Sequence, residues 1–301
     1  MATVIPIKKH LKALKTQYNL LSKGKDALLN LIDEAEIAEN VYNSNAIENS
    51  TLTLKETEQI LLEMEVSRNL PLREVFEAKN LARVTEYIRN KAKKEAISQE
   101  LILLLHRMLI GNIDDKIAGR FREKNEYVRV GTHIAPAPEH VASMMEKLVQ
   151  DFTDNTETFF ADKIAKFHLD FETIHPFNDG NGRIGRVIIN YQLIQLGFPA
   201  VIVRNKEKLG YYKALQDYNF NTNTKRMEKI ITLAIMESLH KRLTYLEGGK
   251  IIPLANYIRQ NKKSAPALLN AARRQNIPAF REKGVWKISE EFKYDGGEKK
   301  N

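Results

Sequence analysis

HPFNDGNGRIGR, residues 175–186, sets a histidine, an aspartate, two asparagines, three glycines and two arginines within twelve positions. Polar groups this dense need dedicated partners if they are buried. Before the stretch, Ile164, Phe167, Phe171 and Ile174 recur on one helical face; after it, Ile184, Val187, Ile188, Tyr191 and Ile194 do the same. Gly197 and Pro199 end the second run. The stretch therefore reads as a loop joining two core helices, its glycines leading into the first turn of the second.

Outward from that loop the chain stays helical. Leu28, Leu31, Ala35, Ala38 and Tyr42 keep helical spacing. TLKE, Thr53 to Glu56, is a capping box that opens a new helix, so the previous one ends near residues 49–51. Residues 71–90 and 98–110 are two more amphipathic segments, the latter stopped by Gly111. YVRV, 127–130, alternates like a strand before Gly131 and the prolines at 136 and 138, which predicts a short β-hairpin or flap. The predicted fold is mainly α, with that hairpin as its chief β element in the body of the chain.

The chain has 301 residues, 43% of them hydrophobic, enough for a real core and about two domains. It has no cysteine, which excludes disulfides and thiolate chemistry. The first residues, MATVIPIKKHLK, lack the apolar core of a secretory signal, and the most apolar run, 101–110, is far too short to span a bilayer. No membrane partner and a cytoplasmic location are expected. The net charge is +9; residues 251–301 carry 11 Lys/Arg against 5 Asp/Glu, a net of +6. A change of domain near Gly248-Gly249 accounts for that shift.

The chemistry of 175–186 follows from its residue types. A glycine-containing loop that opens a helix is an anion site, because free N–H groups and the helix dipole point at the ligand. Gly180 and Gly182 permit close backbone approach. Arg183 and Arg186, three apart, suit a polyphosphate. Asp179 beside such a cradle is placed to hold Mg²⁺. His175, at the other end of the loop, is suited to taking a proton from a hydroxyl. Together these describe nucleotidyl or phosphoryl transfer to a protein or small-molecule hydroxyl. The remaining histidines (10, 106, 133, 140, 168 and 240) have no metal-ligand spacing and are expected to pack.

The spacing His-x-Phe-x-Asp-Gly-Asn-Gly-Arg-x-x-Arg resembles, position for position, the signature of the Fic (filamentation induced by cAMP) family. The resemblance implies a Fic-type helical core. It implies His175 as general base, Phe177 as the anchor of the loop and Asp179 as the Mg²⁺ ligand. Asn181, Gly182 and Arg183 are implied as the phosphate cradle, and Arg186 as the holder of the γ-phosphate. YVRVGTHIAPAPEHV, 127–141, is similar to the family's flap, whose strand edge receives a target backbone; Val130 resembles the flap residue that packs on the nucleotide. YYKALQDYN, 211–219, resembles the segment lining the adenine and ribose pocket, with Tyr212, Gln216 and Asn219 as contacts; read alone, its tyrosines are helix-face packing. SNAIEN, 44–49, resembles the family's inhibitory motif, with Ser44, Glu48 and Asn49 at its signature positions. Read alone, Glu48 is a solvated acid at a polar helix end. Beside Arg186, it gains a partner that keeps the arginine from the γ-phosphate.

The resemblance implies an autoinhibited protein adenylyltransferase that uses ATP and Mg²⁺ to move AMP onto a Ser, Thr or Tyr hydroxyl of a target protein held at the flap. The alternatives are a de-AMPylase that uses Glu48, and a DNA-binding regulator whose Fic core senses a nucleotide. Residues 251–289 read as helix, turn, helix and a hairpin around Gly284, similar to a small winged helix-turn-helix. Arg273 and Arg274 fall near the end of its second helix, and Arg281 and Lys283 in the wing, where they suit phosphates; a small packing module with a solvated basic face is the other reading. The expected division is 1–95 as an N-terminal helical region with the inhibitory helix, 96–247 as the core, and 250–295 as the winged-helix-like module. DNA at 250–295 and a second copy of the chain are the remaining candidate partners.

Overall fold

A computed structural model describes residues 4–66, 69–131 and 133–294. They form twelve α-helices and five short strands: α1 Ile5–Leu21, α2 Asp26–Ile47, α3 Leu54–Glu58, α4 Leu72–Lys91, α5 Gln99–Ile110, β1 Arg129–Val130, β2 His133–Ile134, α6 Pro138–Asp154, α7 Phe160–Ile174, α8 Asn181–Gln195, α9 Lys208–Asn221, α10 Lys225–Glu247, β3 Ile251–Pro253, α11 Leu254–Gln260, α12 Ala265–Arg273, β4 Phe280–Glu282 and β5 Val285–Ser289. A single π turn, Gln59–Glu63, follows α3. No helix among the described residues is long and apolar enough to cross a membrane. One compact unit takes in Ala35–Thr232; the other takes in Pro6–Glu34 and the chain from Leu233 on.

The first unit holds the quoted loop. Its core joins Val41 of α2, the inward faces of α4, α5 and α6, and Phe167, Phe171, Ile184, Val187, Ile188 and Tyr191 of α7 and α8. The helix boundaries follow local chemistry. Thr53 and Glu56 form the reciprocal capping box at the start of α3. Ser98 caps α5 through the N–H of Leu101. Asn49 adopts φ 68°, the left-handed conformation that ends the α2 segment. Phe177 is the loop's anchor, fully buried and stacked on His106 with ring centroids 3.7 Å apart.

Two strand readings change. Only Arg129 and Val130 of YVRV enter a ladder, pairing antiparallel with Ile134 and His133. Tyr127, Val130 and Ile134 are all exposed, so alternation here reports no buried face. In the second unit, Ile251–Pro253 is a strand rather than the start of a helix. Proline lacks the N–H for a helix interior and instead closes β3 and precedes the first turn of α11. β5 lies between β3 and β4, both antiparallel to it. Their core is Ile252, Leu254, Tyr257, Leu268, Ala272, Ile277 and Ile288.

The wing arginine of this unit is committed internally. Arg281 bonds both carboxylate oxygens of Glu237 on α10 and lies over the Trp286 ring. Glu282 takes Tyr245, Lys241 and Lys287. Arg242, fully buried, reaches Asp33 at 2.6 Å. Arg273 and Arg274 are exposed.

Phe177→Ala removes a buried aromatic and its histidine stack. The expected loss is about 3–5 kcal/mol of stability, the usual cost of a buried Phe→Ala. Chemical denaturation of wild type and variant at one pH checks it.

Candidate active site

α7 ends because His175 takes the left-handed conformation, φ 49°, with Pro176 next. Arg122, almost completely buried, fixes that corner. Its guanidinium donates to the main-chain carbonyls of His175 at 2.8 Å, Pro136 at 2.9 Å and Glu126 at 2.9 Å, so one side chain ties the catalytic corner to both ends of the hairpin segment. His133 of the hairpin also meets the Thr173 carbonyl at 2.9 Å.

α8 starts at Gly180, φ 83°. A Cβ there would meet Ile110 at 3.1 Å and Leu109 at 3.2 Å, so both the backbone and the space require glycine. No side chain caps α8, so the first-turn N–H groups of residues 181–183 have no intrahelical or capping acceptor. The Asn181 side chain does another job: its Oδ1 accepts from the Phe177 N–H at 2.9 Å and its Nδ2 donates to the Phe177 carbonyl at 2.8 Å. The clamp fixes the loop backbone and leaves the main-chain N–H of Asn181 to the anion site. His106 supports the loop from α5. Gly119 N–H donates to its Nδ1, so Nε2 donates to the Asp179 carbonyl, each at 3.0 Å. Burial holds His106 down to about 4, neutral as this bonding requires.

A cavity of about 410 Å³ opens over the loop, lined among others by Glu48, Arg73, His175, Asp179, Gly182 and Arg183. Asp179 accepts from the Gly180 N–H at 2.6 Å and pairs with Arg183 at 3.0 Å and with Arg73 of α4. Burial works to raise its carboxyl, but Arg183 and Arg73 together pull it below the usual range. Arg183 also meets Glu77 at 3.0 Å. Among the described residues no group of three or more His, Cys, Asp or Glu is placed to hold a metal. A lone carboxylate fits Mg²⁺, which takes one or two carboxylates and completes its shell with phosphates and water.

Beneath the first turn of α8 lies Arg186. Its Nε donates to Ser44 Oγ at 2.9 Å; its Nη2 donates to the Ser44 carbonyl at 2.8 Å and to Glu48 Oε1 at 2.9 Å. Burial acts to lower this guanidinium, yet Glu48, Tyr211 and Glu172 together outweigh it and hold the charge on more firmly than usual. Glu48 Oε1 would sit 2.2 Å from a Cβ on Gly182. Only glycine admits that carboxylate against the helix start. Tyr212 donates to the Ile47 carbonyl at 2.6 Å, next to Glu48.

His175, Asp179, residues 180–183, Glu48 and Asn49 thus line one cavity, with Ser44 and Arg186 bonded beneath it. Val130, Tyr212 and Asn219 do not line that cavity; Val130 and Asn219 are exposed, and Asn219 accepts from Thr173 Oγ1 at 2.9 Å. Gln216 is exposed. Sequence reasoning missed His106, Arg122 and Arg73, whose partners are distant in the chain and leave no spacing signal.

His175 is neutral at neutral pH: burial lowers it to about 4, against the raising effect of the nearby Glu172 main-chain carbonyl. Glu172, one turn earlier, is buried with Oε1 unpartnered, and its carboxyl is pushed up to about 8, first by burial and then by Glu48, against the pull of Arg186.

Comparison with known proteins bears on this arrangement. Residues 96–193 match the sequence profile of the Fic/DOC family. The protein adenylyltransferase Fic of Nematostella vectensis is 32% identical over 192 residues, 60% of this chain and 43% of that protein. Its counterpart from Culex quinquefasciatus is 29% identical over 217 residues, 67% of this chain and 43% of that protein. The chain spans less than half the length of these curated relatives. Among solved structures, a Fic domain containing signaling protein from Bacteroides thetaiotaomicron superposes with a TM-score of 0.72 at 24% identity, covering 80% of this chain and 97% of that one.

The raised Glu172 carboxyl has a stability consequence. Between its unfolded value of about 4.3 and its folded value of about 8, the native state keeps a proton that the unfolded chain has lost. Its contribution is full below the unfolded value and is lost as pH rises through the folded one. Glu172→Gln removes this dependence, so the denaturation midpoint of the variant is expected to gain on wild type from pH 5 to pH 8.5. The groups around it, His168, His175, Arg186 and Glu48, are shared by both proteins. Parallel midpoints across that range would refute the assignment.

Proposed function

With a Fic/DOC-family domain at residues 96–193 as the premise, we propose that this chain moves AMP from ATP to a hydroxyl side chain of a target protein and rests in an autoinhibited state. The observation that carries the reading is the pairing of Arg186 with Glu48 at 2.9 Å, directly against the uncapped start of α8. This contact supports a reading in which a carboxylate of the chain's own takes the place of an incoming phosphate.

In the reaction, Nε2 of neutral His175 takes the proton of the target hydroxyl. The hydroxyl oxygen bonds to the α-phosphorus, and the bond to the bridging oxygen breaks, releasing pyrophosphate. The N–H groups of residues 181–183 receive phosphate oxygens, and Arg186, once free of Glu48, holds the γ-phosphate. Asp179 would hold a Mg²⁺, which neutralises phosphate charge when bound. The exposed edge of β1–β2 would pair with the target backbone, and Val130, Tyr212 and Asn219 would reach the nucleotide beyond the cavity. Residues 1–95 supply the inhibitory helix and 96–247 the catalytic body. Positioning and charge stabilisation supply most of the rate.

Glu48 also lies close enough to act electrostatically on His175. That supports a second reading in which Glu48 orients a water that removes AMP from a modified target. For residues 250–295, DNA binding would rest on the exposed Arg273, Arg274 and Lys283, since Arg281 is held by Glu237.

Glu48→Gly is expected to raise AMP incorporation from labelled ATP, including self-modification, by roughly 10²-fold, the scale of a misplaced substrate restored to line. Adding Arg186→Ala should abolish the gain. Equal incorporation by wild type and Glu48→Gly would remove the inhibitory role, and loss of AMP release from a modified target in Glu48→Gly would favour the reverse reaction.

In the Glu48→Gly background, His175→Ala should lower transfer by ~10²–10⁴-fold, the usual contribution of a general base, with ATP affinity nearly unchanged by calorimetry. If ATP binding disappears along with transfer, His175 supports the fold of the site and is not its base.

A further inference from the structure

An imidazole that accepts a proton on one nitrogen carries hydrogen on the other, and a neutral imidazole therefore needs its tautomer fixed. Three buried polar atoms beneath the active-site corner lack a partner at good hydrogen-bond geometry: His175 Nδ1, Glu172 Oε1 and His168 Nδ1, with the main chains of Glu172 and Gly185 near the two imidazoles. They lie in a row. Glu172 Oε2 is 3.9 Å from His175 Nδ1. On the other side, Glu172 Oε1 and His168 Nδ1 converge on Gly185, where a Cβ would stand 2.8 and 2.9 Å from them. His168 is anchored in turn by Tyr211, whose hydroxyl meets Nε2 at 2.7 Å. Gly185 is needed for this packing, since any side chain there would displace both groups.

A neutral carboxyl offers one donor and one acceptor, which is what this row lacks. We propose that Glu172 is a positioning residue for His175: its Oε2 accepts the Nδ1–H of His175, while its Oε1–H donates to His168 Nδ1, leaving the Nε2 lone pair of His175 toward the cavity. The proposal requires the His175 ring to turn until this 3.9 Å gap closes to hydrogen-bond length. The raised carboxyl of Glu172 agrees with the neutral form this bonding needs. When His175 takes up a proton, Glu172 becomes the nearest group able to stabilise the imidazolium. The kinetic consequence rests on the AMP-transfer reading; the tautomer itself does not.

The main-chain carbonyl of Glu172 is the competing acceptor for Nδ1–H, and the test must separate the two. Long-range ¹H–¹⁵N spectra of the full chain labelled in histidine report the tautomer, with the His175 signal assigned through His175→Ala. Wild type should show the Nδ1–H form, and Glu172→Gln, whose amide oxygen still accepts, should keep it. Glu172→Leu should lose it to a mixture. An Nε2–H form in wild type overturns the proposal without any variant, which covers failure of Glu172→Leu to fold. Persistence of Nδ1–H in folded Glu172→Leu assigns the role to the main-chain carbonyl and also overturns it. In the Glu48→Gly background, Glu172→Leu should lower kcat by ~10²-fold, leave ATP affinity unchanged and shift the base limb of the pH–rate profile; a lowered kcat with an unmoved profile would mark a merely structural role. If Glu48→Gly itself transfers no AMP, the functional reading fails while the tautomer result still decides the proposal.

Discussion

An α-helix that begins without a cap carries unpaired N–H groups and a partial positive charge, and the site is arranged around one such start. At α8 the glycine at the N-cap rules out a side-chain acceptor, and the one polar side chain in the first turn able to turn back, Asn181, is spent on the Phe177 backbone. The positive end is thus kept open by construction. In this structure Glu48 answers it, bridging the helix start and Arg186. A pair of this kind adds little net stability, because desolvation offsets attraction. Under the proposed function its consequence is competition: an incoming polyphosphate would have to displace a carboxylate that is covalently part of the chain.

The loop can sustain this contest because it is held independently of any ligand. Arg122 grips the His175 corner from the hairpin side, His106 holds the Asp179 carbonyl from α5, and Phe177 plugs the core. None of these contacts involves an atom needed for chemistry. His175 Nε2, the Asp179 carboxylate and the α8 N–H groups, the groups that the proposed function uses, are therefore presented by a frame that does not depend on Glu48. Burial keeps His106, His168 and His175 neutral near pH 7, so the only cations at the heart of the site are arginines, which remain charged at any working pH.

The second unit carries much of the chain's basic excess, and part of it is balanced locally. Arg281 with Glu237, Lys287 and Lys241 with Glu282, and Arg242 with Asp33 are all paired. Counting basic residues in 251–301 gives the sign of the field but not the surface that presents it. Arg259, Lys262, Lys263, Arg273, Arg274, Lys283 and Lys293 are exposed, so most of the basic side chains in this stretch reach the surface.

The sequence by itself determined the helical class, the loop between two core helices and the residue types gathered in it, because these depend on local periodicity, capping and glycine, which act over a few positions. TLKE became a capping box and Gly180 a left-handed turn for reasons contained in their neighbours. Hydrophobic alternation at 127–130 marked the hairpin but not its extent, since only Arg129 and Val130 enter the ladder. Only the tertiary structure decided which polar residues face each other. The Asn181 side chain clamps the Phe177 backbone, and Arg122 and His106, ordinary loop and helix residues in the sequence, hold the loop from 53 and 73 residues away. Glu48 and Arg186 stand 138 positions apart. A hydrogen bond or ion pair over that distance has no period in the chain, since its geometry is set by the packing of α2 and α8 rather than by the residues between them.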